Sequence, residues 1–398
     1  MTAPRRRRRL SASDVRGGVR LVTNAVTGVT DVVEAVHATV SQPAGRPTRT
    51  RGIAGWVYRL IRWITRGVGR TVDQTLSLAD RHALPADGPA REAVVAALNG
   101  AFGDALVRDA NPLATSLTLR HDGRPLRLDG APLDVPDASA TLLVLVHGIC
   151  MHDEQWGAPD HDMGGRLADG LGATRIGVRY NSGRHISESG RDLAGALDAL
   201  VGAWPVPVRR LVVVGHSMGG LVARSAWFHA TTAGLAWPGL DASLAMLGSP
   251  HHGAPLERLG NHVDTLLGAT RVGAPFARIG QIRSVGVTDL RHGSVHDADW
   301  AGRDRFARAP DARTPLPLPS GVACYVVAGT TGDGTGSVRD QAVGDGLVPL
   351  DSALGRHPDP ARDLGVPPDR QWVSVGMHHF DLIRRPEVTA QLLAWLRR

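Results

Sequence analysis

The sequence contains no lysine: its 398 residues carry 45 basic side chains, and every one of them is arginine. We interpret this as a compositional bias of the lineage rather than a functional choice. Cysteine is almost as scarce, because only Cys150 and Cys324 occur. Two cysteines form no disulfide framework, so the default compartment of the protein is the cytoplasm.

Long apolar runs are missing as well. No run of about 18 apolar residues occurs, which excludes an ordinary transmembrane helix. The opening MTAPRRRRRL resembles the basic start of a signal peptide, but SASDVRGGVRLVTNAV follows it. That stretch lacks the continuous apolar segment of roughly 7–15 residues that a signal peptide needs, so we do not expect secretion.

Negative charge is scarce at the start of the chain. Residues 1–80 carry 14 arginines against 5 acidic residues, whereas the other 318 residues carry 31 arginines against 33 acidic residues. A basic segment suits contact with nucleic acid or with an anionic membrane surface. No aromatic residue is interleaved with the arginine run at 5–9, so we predict a solvated tail and no specific nucleic-acid partner.

Two amphipathic patterns lie within this basic segment. Valines recur at alternating spacings of four and three over residues 15–40, and Trp, Ile, Leu and Val line one face of residues 53–76. Arginines at 59, 62, 66 and 70 occupy the other face of the second pattern, as on a helix at a membrane surface. Burial of the apolar face in protein is the alternative. We therefore predict a basic helical segment over residues 1–112, with peripheral attachment through residues 1–80 as one hypothesis.

From residue 113 onward, strand patterns alternate with helix patterns. The apolar runs in TLLVLVHG, TRIGVRYNSG, RRLVVVG, SLAMLGSP, ACYVVAGT and QWVSVGM indicate buried strands. Buried strands that alternate with helices predict a mainly parallel sheet with helices on both faces. We assign this α/β domain to residues 113–398.

The stretch VVVGHSMGGLVARS, residues 212–225, places one serine between glycines where a strand meets a helix. A nucleophile on such a turn has a strained backbone, so its neighbours must be nearly free of side chains. Gly215 and Gly219 meet that need around Ser217. The helix that follows also offers the Met218 amide to an oxyanion.

A nucleophilic serine needs a base, an orienting acid and a second oxyanion donor, which in this kind of sheet follow in a set chain order. The donor loop is LLVLVHGIC, which exposes the amide of Ile149. The acid follows the ACYVVAG strand, where Asp345 lies between two glycines in VGDGLVPL. The base lies in VGMHHFDLIRRPEV, before the last helix.

Taken together, GHSMGG, LGSPHHG and GDGLVPL resemble the α/β-hydrolase superfamily in its lipase and esterase branch. They are similar to bacterial lipases and to lipase-like proteins related to GPI inositol-deacylases. The resemblance covers roughly residues 113–398 and implies an α/β-hydrolase fold, with a cap or lid inserted around 253–319. Apolar residues in that insertion suit an acyl-chain wall or ordinary helix packing equally well: Leu256, Leu259, Val263, Leu266 and Leu267.

The resemblance also decides between two adjacent histidines. In these lipases an apolar residue and an aspartate follow the catalytic histidine, which fits His379 and not His378. We place His378, together with His252 of the HHG stretch, among the substrate-binding residues. Asp333 and Asp351 are the alternatives to Asp345, and both are interpreted as turn residues.

Other polar residues near these motifs receive no catalytic role. His152, Asp160, His161 and Asp162 cluster after the donor loop, but we interpret them as solvated and predict no metal and no cofactor. Cys150 has no elbow around it and is interpreted as a small buried filler. We interpret His147 and His216 as structural hydrogen-bonding residues.

The predicted function is hydrolysis of a carboxylic ester, lipid-like in character, by Ser217, His379 and Asp345 through an acyl-enzyme, with the Ile149 and Met218 amides holding the oxyanion. An acyltransferase would use the same triad with an alcohol in place of water. A membrane- or granule-binding protein with secondary hydrolase activity is the alternative from another class. We expect a cytoplasmic protein, with attachment to the inner membrane face under the peripheral hypothesis.

Overall fold

The computed structural model describes residues 89–111, 113–129, 133–254, 283–307, 310–332, 334 and 343–397. The predicted amphipathic helices of residues 15–40 and 53–76 lie outside them, as do Asp333 and the five apolar residues of the predicted cap. Two compact units make up the chain, residues 1–95 with 266–280 and residues 96–265 with 281–398. The described part of the first unit is residues 89–95, at the start of a helix, and the sheet belongs to the second unit.

Alternating strands and helices run through the second unit. The helices are α1 (Pro89–Arg108), α2 (Met163–Leu171), α3 (Ile186–Ala203), α4 (Met218–Thr232), α5 (Val285–Asp289), α6 (Leu350–Leu354) and α7 (Pro386–Leu396). The strands are β1 (Thr118–His121), β2 (Arg124–Pro125), β3 (Thr141–Val146), β4 (Gly157–Ala158), β5 (His161–Asp162), β6 (Thr174–Arg179), β7 (Arg210–His216), β8 (Asp241–Leu247), β9 (Ala323–Thr330) and β10 (Gln371–Val375). Short 3₁₀ turns cover Trp237–Gly239, Asp297–Asp299, Pro368–Arg370 and His379–Ile383.

Eight strands form the central sheet in the order β10-β9-β8-β7-β3-β6-β1-β2. The pairs from β10 to β6 are parallel, and β1 runs antiparallel to both β6 and β2. The antiparallel strands β4 and β5 form a separate two-stranded sheet. The predicted mainly parallel sheet is therefore confirmed, and β1 and β2 form its antiparallel edge.

The central strand β3 has buried side chains on both of its faces. Leu142 and Val144 face one core, whose members include Leu193 of α3 and Leu221 of α4. Leu143 and its alternate neighbours face a second core, which contains residues of α2 and α7. Because helices cover both faces of the sheet, both sets of side chains on β3 are buried and the run does not alternate with polar residues.

None of the helices that the structure describes is both long and apolar enough to cross a bilayer. The predicted domain boundary after residue 112 and the cap at 253–319 stay predictions.

Candidate active site

The carboxyl ends of the parallel strands bring the predicted residues to one edge of the sheet. Ser217 follows β7 directly, Asp345 lies beyond the end of β9, and His379 follows β10. These three strands are close in the sheet order, separated only by β8 between β7 and β9. Parallel strands end at the same edge, so residues far apart in sequence converge there.

Ser217 has a strained backbone, with φ of +54° and ψ of −124°. Its amide donates to the carbonyl of Leu247 at 2.8 Å, which attaches the turn to the end of the neighbouring strand β8. A side-chain carbon on Gly219 would lie 2.0 Å from the carbonyl oxygen of Val146, so no larger residue fits there. The turn thus has the local structure that the Gly-x-Ser-x-Gly pattern predicts.

His379 and Asp345 form a buried pair. Nδ1 of His379 lies 2.7 Å from Oδ2 of Asp345, and the two residues are 4% and 1% exposed. The second carboxylate oxygen, Oδ1, accepts the backbone amides of Leu347 and Val348 at 3.0 and 2.9 Å. Because both oxygens are engaged, the carboxylate is fixed in orientation and holds a proton on Nδ1 of the imidazole, which leaves Nε2 as the free acceptor.

His216 connects the serine turn to the His379 segment. Its Nε2–H donates to the backbone carbonyl of His379 at 3.1 Å, and the two rings lie 4.7 Å apart. Burial, followed by the neighbouring His379, holds the pKa of His216 well below 6.5, so this imidazole is neutral at neutral pH. His216 is therefore a structural hydrogen-bonding residue, as its position in the motif suggested.

The loop after β3 lies against the serine. A side-chain carbon on Gly148 would lie 3.0 Å from Cβ of Ser217, so the backbone of this loop contacts the turn directly. Ile149, the next residue, is half-buried and packs against the larger core. Met218 begins α4, where backbone amides have no partner within the helix. Of the two predicted oxyanion donors, Met218 thus follows Ser217 directly in the chain, and Ile149 follows Gly148, whose backbone lies against Ser217.

His147 lies under the same loop and is held in one orientation. Its Nδ1–H donates to the carbonyl of Gly148 at 2.8 Å, and its ring stacks on Tyr180 with the centroids 4.4 Å apart. The Tyr180 hydroxyl donates to the carbonyl of His147 at 2.9 Å. Burial lowers the pKa of His147 to about 4.

The predicted substrate-binding histidines occupy different environments. His378 is exposed, and its amide donates to Oδ2 of Asp381 at 2.9 Å. His252 is 8% exposed, and its ring lies 4.8 Å from that of His357. The described contacts of the His252 ring are with groups outside the Ser217–His379–Asp345 set.

The alternative acid and the polar residues after the donor loop have other contacts. Asp351 lies in α6 with an exposed side chain 4.0 Å from Arg356. His161 contacts the Thr389 hydroxyl at 2.7 Å, and Asp162 caps α2 through the Gly165 amide at 3.0 Å. Within the described residues, no three His, Cys, Asp or Glu side chains lie together as metal ligands would.

Two features of the site were not apparent in the sequence. The amides of Leu347 and Val348 hold the carboxylate, and the only signal for them is that LVPL directly follows Asp345-Gly346. Between the Ile149 loop and β6 the chain forms the β4–β5 hairpin and α2, elements that no sequence pattern predicted.

Four buried histidines predict a pH-dependent stability. His147, His216, His251 and His252 all have pKa values below 6.5, chiefly because of burial. An unfolded histidine binds its proton near pH 6.5, so between about pH 6.5 and 4 the unfolded state binds more protons and stability falls as pH falls. We expect the free energy of unfolding in urea to drop between pH 7.5 and 5, by roughly 2 kcal/mol from His147 alone.

The matched comparison is His147→Gln with His378→Gln. The first variant should show a smaller drop than the wild type, because it removes one of the buried groups whose pKa is lowered, and His378→Gln makes the same side-chain change at an exposed position as its control. Equal free energies of unfolding at the two pH values in the wild type would contradict the prediction.

A family comparison agrees with the fold. The model of the family described as PGAP1-like alpha/beta domain matches residues 200–315, a range that contains Ser217 but ends before Asp345 and His379. No curated protein matches the chain significantly.

Solved structures of similar proteins are lipases and esterases. The mature lipase BlEst2 of Bacillus licheniformis is 19% identical with a TM-score of 0.43, over 70% of this chain and 97% of that one. An esterase/lipase from an uncultured bacterium is 14% identical with a TM-score of 0.37, over 82% of this chain and 97% of that one. An esterase from Pyrobaculum calidifontis is 17% identical with a TM-score of 0.35, over 82% and 96%. The sheet and the family match confirm the α/β-hydrolase-like fold that the sequence motifs indicated.

Proposed function

We propose that the protein hydrolyses carboxylic esters, lipid-like ones in particular, through Ser217, His379 and Asp345. The observation that carries the proposal is the buried His379–Asp345 pair, 2.7 Å apart, at the sheet edge where Ser217 occupies its strained turn. An orienting carboxylate, an imidazole and a serine on such a turn are the groups that acyl transfer needs.

In the first half-reaction Oγ of Ser217 attacks the ester carbonyl carbon while Nε2 of His379 takes the hydroxyl proton. Asp345 keeps the other imidazole proton on Nδ1 and stabilises the imidazolium cation that forms. The amides of Ile149 and Met218 donate to the developing oxyanion. The tetrahedral intermediate then expels the alcohol, which receives the proton from His379, and an acyl-enzyme on Ser217 remains.

The second half-reaction repeats these steps with water. His379 takes a proton from a water molecule, whose oxygen attacks the acyl carbon, and the acid product leaves as Oγ of Ser217 recovers its proton. No step requires a cofactor. An alcohol in place of water would give the acyltransferase reaction, so the acceptor and not the triad decides between the two reactions.

A series of p-nitrophenyl esters from acetate to palmitate tests the proposal. We expect turnover at more than one chain length, with the highest kcat/KM for long acyl chains if the substrate is lipid-like. Addition of an alcohol should leave the free acid as the main product. Folded protein without turnover of any ester would contradict the proposed hydrolysis, and acyl transfer to the alcohol as the main reaction would replace it with the acyltransferase function.

A further inference from the structure

The turn that carries Ile149 contains a second strained residue. The amide of Met151 donates to the carbonyl of Gly148 at 3.3 Å, which closes a four-residue turn. Its third residue, Cys150, has φ of +59°, the conformation that a type II turn requires and that glycine or asparagine usually adopts. Since Cys150 has a side chain, contacts outside the turn must hold it in this conformation.

One of these contacts comes from the loop after β6. The amide of Cys150 donates to Oγ of Ser182 at 3.0 Å, and Ser182 is 1% exposed. Since the acceptor is itself buried and cannot move freely, the bond fixes the peptide between Ile149 and Cys150. The orientation of this peptide is coupled to that of the preceding one, which carries the Ile149 amide.

The second contact comes from α1, whose glycines lie against the Cys150 turn and against the loop after β6. A side-chain carbon on Gly100 would lie 2.3 Å from Sγ of Cys150 and 2.8 Å from its backbone nitrogen. One on Gly103 would lie 1.8 Å from Oδ1 of Asn181, the residue before Ser182. The helix is therefore as close to these loops as a peptide backbone can come, and the Cys150 side chain lies against it.

The residues around the start of α5 hold α1 at this position. Oγ of Ser284, which is fully buried, donates to the carbonyl of Gly100 at 2.6 Å. The amide of Gly286, two residues later, donates to the carbonyl of Gly183 at 3.1 Å. The start of α5 with its cap Ser284 thus connects α1 to the Ser182 loop and holds Gly100 beside Cys150.

The Cys150 thiol has no chemistry of its own in this position. Burial raises its pKa to about 11, so it is neutral at neutral pH and is not a nucleophile. Its Sγ lies 3.9 Å from the carbonyl of Ala97 in α1. The side chain fills the space between the helix and the turn.

We propose that Cys150 is a positioning residue, held between α1 and Ser182, that keeps the Ile149 amide aimed at the oxyanion. The inference rests on the proposed function, because the Ile149 amide has a task only if Ser217 forms a tetrahedral intermediate. It assigns α1, which lies outside the predicted catalytic domain, a direct part in the rate of the reaction.

The test is Gly100→Ala, with Gly195→Ala as the matched control. Gly195 is also a helical glycine, on α3, and a side-chain carbon there would have no atom within 4 Å. Two readouts are compared: steady-state hydrolysis of p-nitrophenyl butyrate, and the second-order rate constant for labelling of Ser217 by a fluorophosphonate. Loss of an oxyanion donor typically lowers kcat by about 10²–10³-fold.

We expect Gly100→Ala to lower kcat and the labelling rate by about 10- to 1000-fold with KM within about twofold, and Gly195→Ala to match the wild type. Equal kcat in the two variants, or a loss carried by KM alone, overturns the inference. A wild type that is folded but neither hydrolyses the ester nor labels at Ser217 overturns the proposed function and this inference with it.

If Gly100→Ala does not fold, Ser182→Ala decides the question. It removes the acceptor of the Cys150 amide without adding volume, and Ser225→Ala is its control, because Ser225 is also fully buried and donates to the carbonyl of Val295 at 2.8 Å. A fall in kcat for Ser182→Ala alone supports the inference, and equal kcat in the two serine variants overturns it.

Discussion

Ser217→Ala should lower kcat for ester hydrolysis on the order of 10⁴- to 10⁶-fold, because it removes the only oxygen proposed to attack the substrate. The change leaves the strained turn in place, since alanine and serine have the same Cβ and the backbone amide of residue 217 still donates to Leu247. Steady-state kinetics with p-nitrophenyl butyrate, together with a thermal unfolding curve, measure the effect.

Ser249→Ala is the matched control for this variant. Ser249 lies two residues beyond β8 at the same sheet edge, and its fully buried Oγ has no hydrogen-bond partner among the described residues. Its removal should leave kcat unchanged and should not destabilise the fold, because a buried hydroxyl without a partner costs free energy. If Ser217→Ala kept the turnover of the wild type, the nucleophile would be a different residue.

Asp345→Asn should lower kcat about 10⁴-fold while the protein stays folded. The amide oxygen of asparagine can still accept the Leu347 and Val348 amides, so the turn after Gly344 is retained. The amide nitrogen then faces Nδ1 of His379 and donates to it, which moves the imidazole proton to Nε2, the atom that must accept the proton of Ser217.

The rival acid provides the control for this prediction. Asp351→Asn changes an exposed carboxylate that lies 4.0 Å from the guanidinium group of Arg356. An exposed ion pair contributes little, so the turnover of this variant should equal that of the wild type. If Asp351→Asn lost activity and Asp345→Asn kept it, the acid would be assigned wrongly. A loss of thermal stability in Asp345→Asn comparable to that of a core substitution would show that the carboxylate serves the fold rather than the imidazole.

The parts of the fold that depend on local pattern are predictable from the sequence. Residues 142–146 of β3 and 211–214 of β7 are all apolar because helices cover both faces of the sheet, and these runs are visible in the sequence alone. The turn at Ser217 was also predictable, because its backbone leaves room only for glycine at position 219. The chain order of serine, acid and histidine follows from the order in which parallel strands return to one edge.

The features that sequence analysis missed depend on tertiary contacts. The helix α2 begins with Met163-Gly164-Gly165, a poor helical start, and is stabilised by its Asp162 cap and by burial of Leu167. Cys150 was interpreted as a filler, because the closeness of Gly100 comes from a helix about 50 residues earlier in the chain. The side chain of His252 could not be placed either, since its backbone position at the end of β8 does not determine where the ring points.

The convergence of Ser217, Asp345 and His379 from the ends of β7, β9 and β10 has a consequence for folding. These residues meet only after strands distant in sequence have paired, and such pairings form late and slowly because long loops must close first. Among the described residues, β10, which precedes His379, pairs with β9 alone. A refolding chain can therefore have its helices and most of its sheet before His379 reaches Asp345, and the ester hydrolysis that we propose would report the arrival of this last strand.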